Sequence, residues 1–192
     1  MTQFKFFNRL NFEYQLKIYD LVAASMQTNI AHLKSKQNST DLSLEETHDL
    51  AVYEQSWAIL LESTFLQMYA ELEASLYQEC EPKLIKKNAS LSRFETALNE
   101  QGYHLDNAHW QAMLNISKIR NCLLHGNGRI DNDRYGVDTK DTIHALNVDA
   151  NTNLIELINV NAHGEGSAKI TIKAPFLHYC LIKIQQFIDA QK

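Results

Sequence analysis

Arg120, Asn121 and His125 are the residues of this chain whose types and spacing could do chemistry. They lie in the run Arg120-Asn121-Cys122-Leu123-Leu124-His125, followed at once by Gly126-Asn127-Gly128-Arg129. A guanidinium is a permanent cation whose planar fork matches two phosphate oxygens, and an imidazole carries a proton near neutral pH. Together they are the groups needed to cleave RNA without a metal, with the 2′-hydroxyl itself attacking the adjacent phosphate. Lys118 and Arg129, which flank the run, are the candidate contacts to the RNA backbone.

A helix must hold these groups. Trp110, Leu114, Ile116, Ile119, Leu123 and Leu124 keep a helical period through the region, and Gly126 is expected to supply the left-handed cap that stops it. The cations then sit in the last two turns, where the helix dipole places partial negative charge. At about 100° per residue, Asn121 and His125 fall nearly in line, whereas Arg120 and His125 diverge by about 140°. One regular helix does not point all three at one phosphate. Either the helix unwinds between Leu124 and Gly126, or a second subunit completes the site across a twofold axis.

The Arg-polar-x-x-x-His spacing near the end of a long helix resembles the HEPN superfamily (higher eukaryotes and prokaryotes nucleotide-binding). That motif is an Arg followed after four to six residues by a His, often with Asn, Asp or His directly after the Arg. Arg120, Asn121 and His125 match it as they stand, and the resemblance covers residues 43 to 130 and the final helix. It implies a mainly α, HEPN-like helical bundle that pairs as a homodimer with the motifs facing each other. It also implies a metal-independent endoribonuclease serving as a toxin or phage-defence effector, with a cognate antitoxin protein as a partner.

The remaining elements follow from periodicity. Residues 11 to 36 should form a first helix, capped by Asn11, with Leu16, Tyr19, Val22, Met26, Ile30 and Leu33 on its apolar face. Ser43-Leu44-Glu45-Glu46 is a capping box. It opens a second helix whose stripe runs from Leu50 through Tyr53, Trp57, Leu61, Phe65, Met68 and Leu72 to Leu76, before Pro82 ends it. Ser92-Arg93-Phe94-Glu95 signals a short helix that stops at Gly102, and Asp106 or Asn107 should open the motif helix. Residues 131 to 173 read as a small antiparallel β insertion. Ile143 to Val148, Asn153 to Val160 and Lys169 to Lys173 are its strands, and only the last alternates cleanly, through Ile170 and Ile172. Pro175 suits the first turn of a closing helix with a wide apolar face.

Charge is unevenly spread. Asp41 to Pro82 holds ten acidic residues and no Lys or Arg, so it carries −10 while the rest of the chain carries +5. A net charge of −5 argues against a general nucleic-acid coat protein, but the asymmetry leaves room for a local basic site. One carboxylate of this acidic helix, Glu62 or Glu73, is a candidate to hold Arg120 or His125 in place.

At 192 residues the chain is read as one domain, residues 1 to 192, large enough to bury a sizeable core. No apolar run reaches membrane-span length and the N-terminus lacks a signal-peptide pattern, so no membrane partner and a cytoplasmic location are expected. The three cysteines, Cys80, Cys122 and Cys180, form no C-x-x-C pair and are expected to be packing residues. The eight histidines are scattered, and no phosphate-loop, dinucleotide or zinc signature occurs, so neither metal nor cofactor is expected. Two other readings compete with the ribonuclease. One is a non-catalytic HEPN-like module that binds nucleotide or protein through the same cleft. The other is a helical interaction protein whose acidic second helix docks a basic partner, leaving Arg120 and His125 as ordinary helix caps.

Overall fold

The structure is a computed structural model that describes residues 9–86, 91–105, 108–131, 136–159 and 168–190. Its frame is a long antiparallel hairpin of α1 (Arg9–Ser39) and α2 (Leu44–Glu79). The Ser43 hydroxyl accepts from the Glu46 amide and the Glu46 carboxylate accepts from the Ser43 amide, which closes the capping box at the start of α2. Asn11 is no cap. It lies inside α1 and donates to Glu71 Oε1 at 2.7 Å, because the helix starts earlier, at Arg9.

α6 (Ala174–Asp189) packs antiparallel on the first half of α1, and Pro175 occupies its first turn. The rungs are Arg9 to Asp189, Gln185 to Glu13 (3.1 Å) and His178 to Asp20 (3.6 Å). With a rise of about 1.5 Å per residue, α6 covers little more than half of α1. Beyond it, the second half of α1 and the first half of α2 form a two-helix arm. There Lys36 pairs with Glu46 and Lys34 with Glu54, and Leu33 and Leu50 are buried.

Two 3₁₀ turns (Pro82–Leu84 and Leu91–Phe94) lead to α3 (Glu95–Glu100). Ser92 lies within the second turn, and no side chain caps α3. The helix ends on Gly102 at φ 85°, with Gly102 N–H donating to Asn99 O and Tyr103 N–H to Leu98 O, the paired bonds of a Schellman motif. The motif helix, α4 (Ala108–Gly126), follows. Asp106 and Asn107, the expected openers, lie outside the described residues. Trp110, Met113, Ile116, Ile119, Cys122 and Leu123 bury one side of α4, with Trp110 set 5.5 Å from Phe187 of α6.

The region from 131 to 173 is only partly β. Ile143 to Val148, expected as a strand, belongs to α5 (Gly136–Asp149). Its buried residues are Thr139, Thr142, Ile143 and Leu146, a three-and-four spacing in which two threonines complete the face that the hydrophobic residues alone leave undefined. Asn147 then ties the end of α5 to the hairpin, accepting from the Leu154 and Ile155 amides at 2.8 and 3.1 Å. The hairpin is β1 (Ile155–Asn159) antiparallel to β2 (Ala168–Ile172), with Ile155 opposite Ile172 and Leu157 opposite Ile170. The fold is therefore mainly helical, with a two-stranded sheet before the last helix. One continuous core joins α1, α2, α4, α5, α6 and the hairpin, and all three cysteines are buried in it as free thiols.

Candidate functional site

α4 stays helical through Gly126, so the first of the two alternatives, an unwinding between Leu124 and Gly126, does not occur. Gly126 is not the left-handed residue either. Asn127 (φ 51°) and Gly128 (φ 74°) take that conformation, and Arg129 N–H donates to Gly126 O at 2.9 Å. Two successive positive φ values inside a four-residue hydrogen-bonded turn are the pattern of a type I′ turn, for which Asn-Gly is the favoured pair. The chain thus leaves α4 through this turn into the backbone of residues 128–130.

That backbone joins the sheet. Ile130 N–H donates to Ala168 O and Ile170 N–H donates to Gly128 O, each at 2.8 Å, so β2 lies between β1 and the segment just after the motif. Ile130 and Ile170 face the core, and Arg129 is paired directly with Lys169. Gly128 has little room above it: a Cβ there would stand 3.1 Å from Lys169 Cε and 3.6 Å from Leu123 Cδ2. The stem of Lys169 therefore lies across the turn that ends α4.

The divergence computed from helical geometry persists, because the helix is regular between Arg120 and His125. Arg120 turns toward α2 and is three-quarters covered. Its Nη2 lies 3.6 Å from Glu73 Oε2, its Nη1 donates to Asn121 Oδ1 at 3.0 Å, and its guanidinium stands 5.3 Å from the centre of the Tyr69 ring. Tyr69 is fixed in turn by donating to Ser117 Oγ at 3.0 Å. The second oxygen of Glu73 accepts from Arg93 Nη2 at 2.6 Å. One carboxylate therefore holds two guanidinium groups from two other elements.

His125 is exposed on the last turn of α4. Lys118, Asn121 and His125 fall within an arc of about 60° on α4, and they form its open polar face. Lys118 pairs with Asp138 of α5 at 3.2 Å, and Arg129 Nε stands 3.9 Å from Asp131. Glu62 is not part of this group. It sits about three turns before Glu73 on α2, roughly 16 Å away along the helix, and α2 and α4 run the same way where Tyr69 meets Ser117 and Glu73 meets Arg120.

Lys169, Arg93 and Tyr69 are the residues near the motif that sequence reading did not single out. For Lys169 the signal was present: with Ile170 and Ile172 inward, alternation turns Lys169 outward. Arg93 and Tyr69 gave none, since their partners come from other elements.

The cysteines are poor nucleophiles. Burial, and secondarily the charge of Glu79, push the Cys80 thiol up to about 11, and burial raises Cys180 well above its ordinary value. Cys122, between Asn121 and Leu123, is fully buried on the core side of α4. Among the described residues, no three His, Cys, Asp or Glu side chains gather into a group that could hold a metal ion. No helix among them is long and apolar enough to cross a membrane. No family model matches the chain, and neither a curated protein nor a solved structure matches it.

Proposed function

We propose that this protein is a metal-independent endoribonuclease of the HEPN type. The observation that carries the reading is the end of α4: a guanidinium held in place by Glu73, Asn121 and Tyr69, an exposed imidazole on the last turn, and two further cations, Arg129 and Lys169, just beyond it. In this mechanism the substrate's 2′-hydroxyl attacks the adjacent phosphorus and His125 takes its proton. Arg120 stabilises the pentacoordinate phosphorane. The bond from phosphorus to the 5′-oxygen then breaks, and that oxygen takes its proton from the His125 imidazolium, which returns to the neutral form. The products are a 2′,3′-cyclic phosphate and a 5′-hydroxyl. Asn121, which accepts from Arg120, sets the guanidinium plane.

The active unit is a homodimer in this reading, since a regular α4 directs Arg120 and His125 of one copy apart and a twofold axis can bring Arg120 of one copy to His125 of the other. The biological role is that of a cytoplasmic toxin or phage-defence effector, kept in check by a cognate antitoxin protein. One observation favours a second reading, a non-catalytic HEPN-like module that binds nucleotide or protein. Arg120 is already engaged by Glu73 and Asn121, as a purely structural arginine would be.

Cleavage assays separate the two. The wild-type protein should cut single-stranded RNA in excess EDTA and leave cyclic phosphate ends, and His125→Ala should lower the rate by about 10²- to 10⁴-fold. Expression of the wild type, and not of His125→Ala, should arrest growth. A His125→Ala protein that cuts at the wild-type rate, or a substrate cut equally well with deoxyribose at the scissile position, overturns the mechanism.

A further inference from the structure

Glu73 is divided unequally between two arginines. Its Oε1 accepts from Arg93 Nη2 at 2.6 Å, a short charge-assisted hydrogen bond, whereas its Oε2 stands 3.6 Å from Arg120 Nη2, an ion-pair distance too long for a hydrogen bond. The carboxylate is committed to Arg93. It steadies Arg120 through charge without taking that guanidinium's hydrogen bonds. Two guanidinium groups share one carboxylate, so the trio keeps one excess positive charge, and the unequal distances assign the excess to Arg120. A quarter of the Arg120 side chain is exposed, which leaves the guanidinium within reach of a ligand.

Arg93 is built to hold its end. It lies in the 3₁₀ turn Leu91–Phe94, whose Leu91 and Phe94 are fully buried, and its main-chain carbonyl accepts from the Lys86 amide at 3.1 Å. Its guanidinium carbon stands 4.7 Å from the centre of the Tyr77 ring and 4.9 Å from that of Phe94, and the two rings meet edge to face. Contact with two rings fixes a planar guanidinium where a flexible ammonium would wander. Without that anchor, Glu73 need move less than about 1 Å to close a hydrogen-bonded pair on Arg120, at about 2.7–2.9 Å. Arg120, whose Nη1 already donates to Asn121, would then have both terminal nitrogens engaged within the protein. We propose that Arg93 is a positioning residue: it draws the Glu73 carboxylate away from Arg120 and so leaves that guanidinium to an incoming RNA phosphate. Arg93 itself touches no RNA. The identity of the ligand rests on the ribonuclease reading, while the competition of two arginines for one carboxylate does not.

The test is a rescue in the full chain. Arg93→Gln should lower kcat for RNA cleavage about ten- to a hundredfold with a smaller rise in KM, because Arg120 acts on the phosphorane more than on the bound substrate. Adding Glu73→Gln, which removes the competing charge and keeps the shape of the side chain, should return kcat to within about threefold of the wild type. Adding Glu81→Gln instead restores the same net charge at an exposed neighbouring position and should not rescue. Thermal unfolding curves fix a temperature at which all four proteins are folded. The same set is read in binding a single-stranded 2′-O-methyl RNA 20-mer, which has no free 2′-hydroxyl to attack; affinity should fall about three- to tenfold in Arg93→Gln and recover with Glu73→Gln. If the wild type cuts RNA and Arg93→Gln cuts as well, or Glu73→Gln fails to rescue it, the positioning role is wrong and the ribonuclease reading stands. Equal rescue by Glu81→Gln would also overturn the role, in favour of net charge alone. If the wild type binds but never cuts, and affinity is lost in Arg93→Gln and recovered with Glu73→Gln, the role of Arg93 stands and the catalytic reading falls. A wild type that neither binds nor cuts RNA overturns both.

Discussion

Glu73 reaches Arg120 across the α2 and α4 contact with one carboxylate oxygen, at 3.6 Å, while its other oxygen is occupied by Arg93 at 2.6 Å. The three side chains are 16% to 25% exposed. Removing the carboxylate strands two part-buried cations, whereas removing Arg120 leaves Glu73 still paired with Arg93. Glu73→Ala should therefore cost about 1–3 kcal/mol, after allowance for partial screening by solvent. Arg120→Ala should cost about 1 kcal/mol, and exposed His125→Ala less than about 0.5 kcal/mol. Thermal unfolding of the three variants reads the order directly, at about 2–4 °C per kcal/mol for a chain of this length. Equal stability of Glu73→Ala and His125→Ala would show that the shared carboxylate holds nothing.

Gly136 opens α5 against the backbone of Ile130. A Cβ there would lie 2.3 Å from the Ile130 carbonyl oxygen, a contact no side chain tolerates without movement of the main chain. Gly136→Ala should lower stability by about 1–3 kcal/mol. Because Ile130 also donates to Ala168, the same substitution should speed amide exchange at Ile130 and Ile170 before it affects α1 or α2. Unchanged protection at both amides would contradict this.

Acid should loosen the two-helix arm first. The hydrogen bond from Lys36, then those from Ser43, lower the Glu46 carboxyl from 4.5 to about 2. A depressed folded value stabilises above the unfolded one, so the contribution is complete above about pH 4.5 and is lost as the pH falls toward 2. Glu46→Gln removes it at every pH. Circular dichroism of the wild type should approach that of Glu46→Gln between pH 4.5 and 2, and parallel curves across that window would rule the linkage out.

The proposed dimer needs a seam. The apolar stripes of α2 and α4 are largely consumed by the core, leaving Val52, Ile59, Tyr77 and Leu124 exposed on them. α1 has instead two apolar faces. Phe12, Leu16, Tyr19 and Ala23 are buried, while Leu10, Tyr14, Ile18 and Leu21, on the opposite side, are 52% to 68% exposed. These four lie within an arc of about 80°. Val22 and, on the adjacent α6, Ile182 are exposed as well, and contiguous exposed apolar surface of this kind marks interfaces. Ile18→Asp with Leu21→Asp should convert a dimer at micromolar concentration to a monomer in sedimentation and reduce cleavage with it. A wild type that sediments as a monomer and still cuts RNA would exclude the shared site.

The helices were legible wherever a hydrophobic stripe repeats over several turns. The capping box at Ser43, the long stripe to Leu76 and the stop at Gly102 all rest on local chemistry and need no knowledge of the rest of the chain. α5 was misread because its buried face is half threonine, and Ile143 to Val148 taken alone resembles a strand. The acidity of α2 was legible as charge but not as contacts. Much of it is spent on other elements instead: Glu46 and Glu54 on α1, Glu71 on Asn11, Glu73 on two arginines and Glu79 on Tyr103. At the site, the motif was visible as a spacing. Of what surrounds Arg120, Glu73 was one of the two carboxylates the sequence offered, whereas Tyr69 and Arg93 gave no signal because they come from two other elements, and Lys169 was legible as an outward strand residue but not as a neighbour of the turn.

That strand pairing also fixes an order of events as the chain folds. The amide of Ile170 closes on the carbonyl of Gly128 across more than forty intervening residues, whereas α1 and α2 meet through the short turn between Ser39 and Leu44. Local contacts form early and distant ones late, since the entropy of closing a long loop must be met before its contacts contribute. The α1 and α2 hairpin, with Glu73 and Tyr69 already on it, can therefore exist while the end of α4 is still without Lys169. A nascent chain halted before residue 168 would display Arg120 and His125 without the backbone that anchors the turn beyond them, so the end of α4 is tied down only when the hairpin arrives.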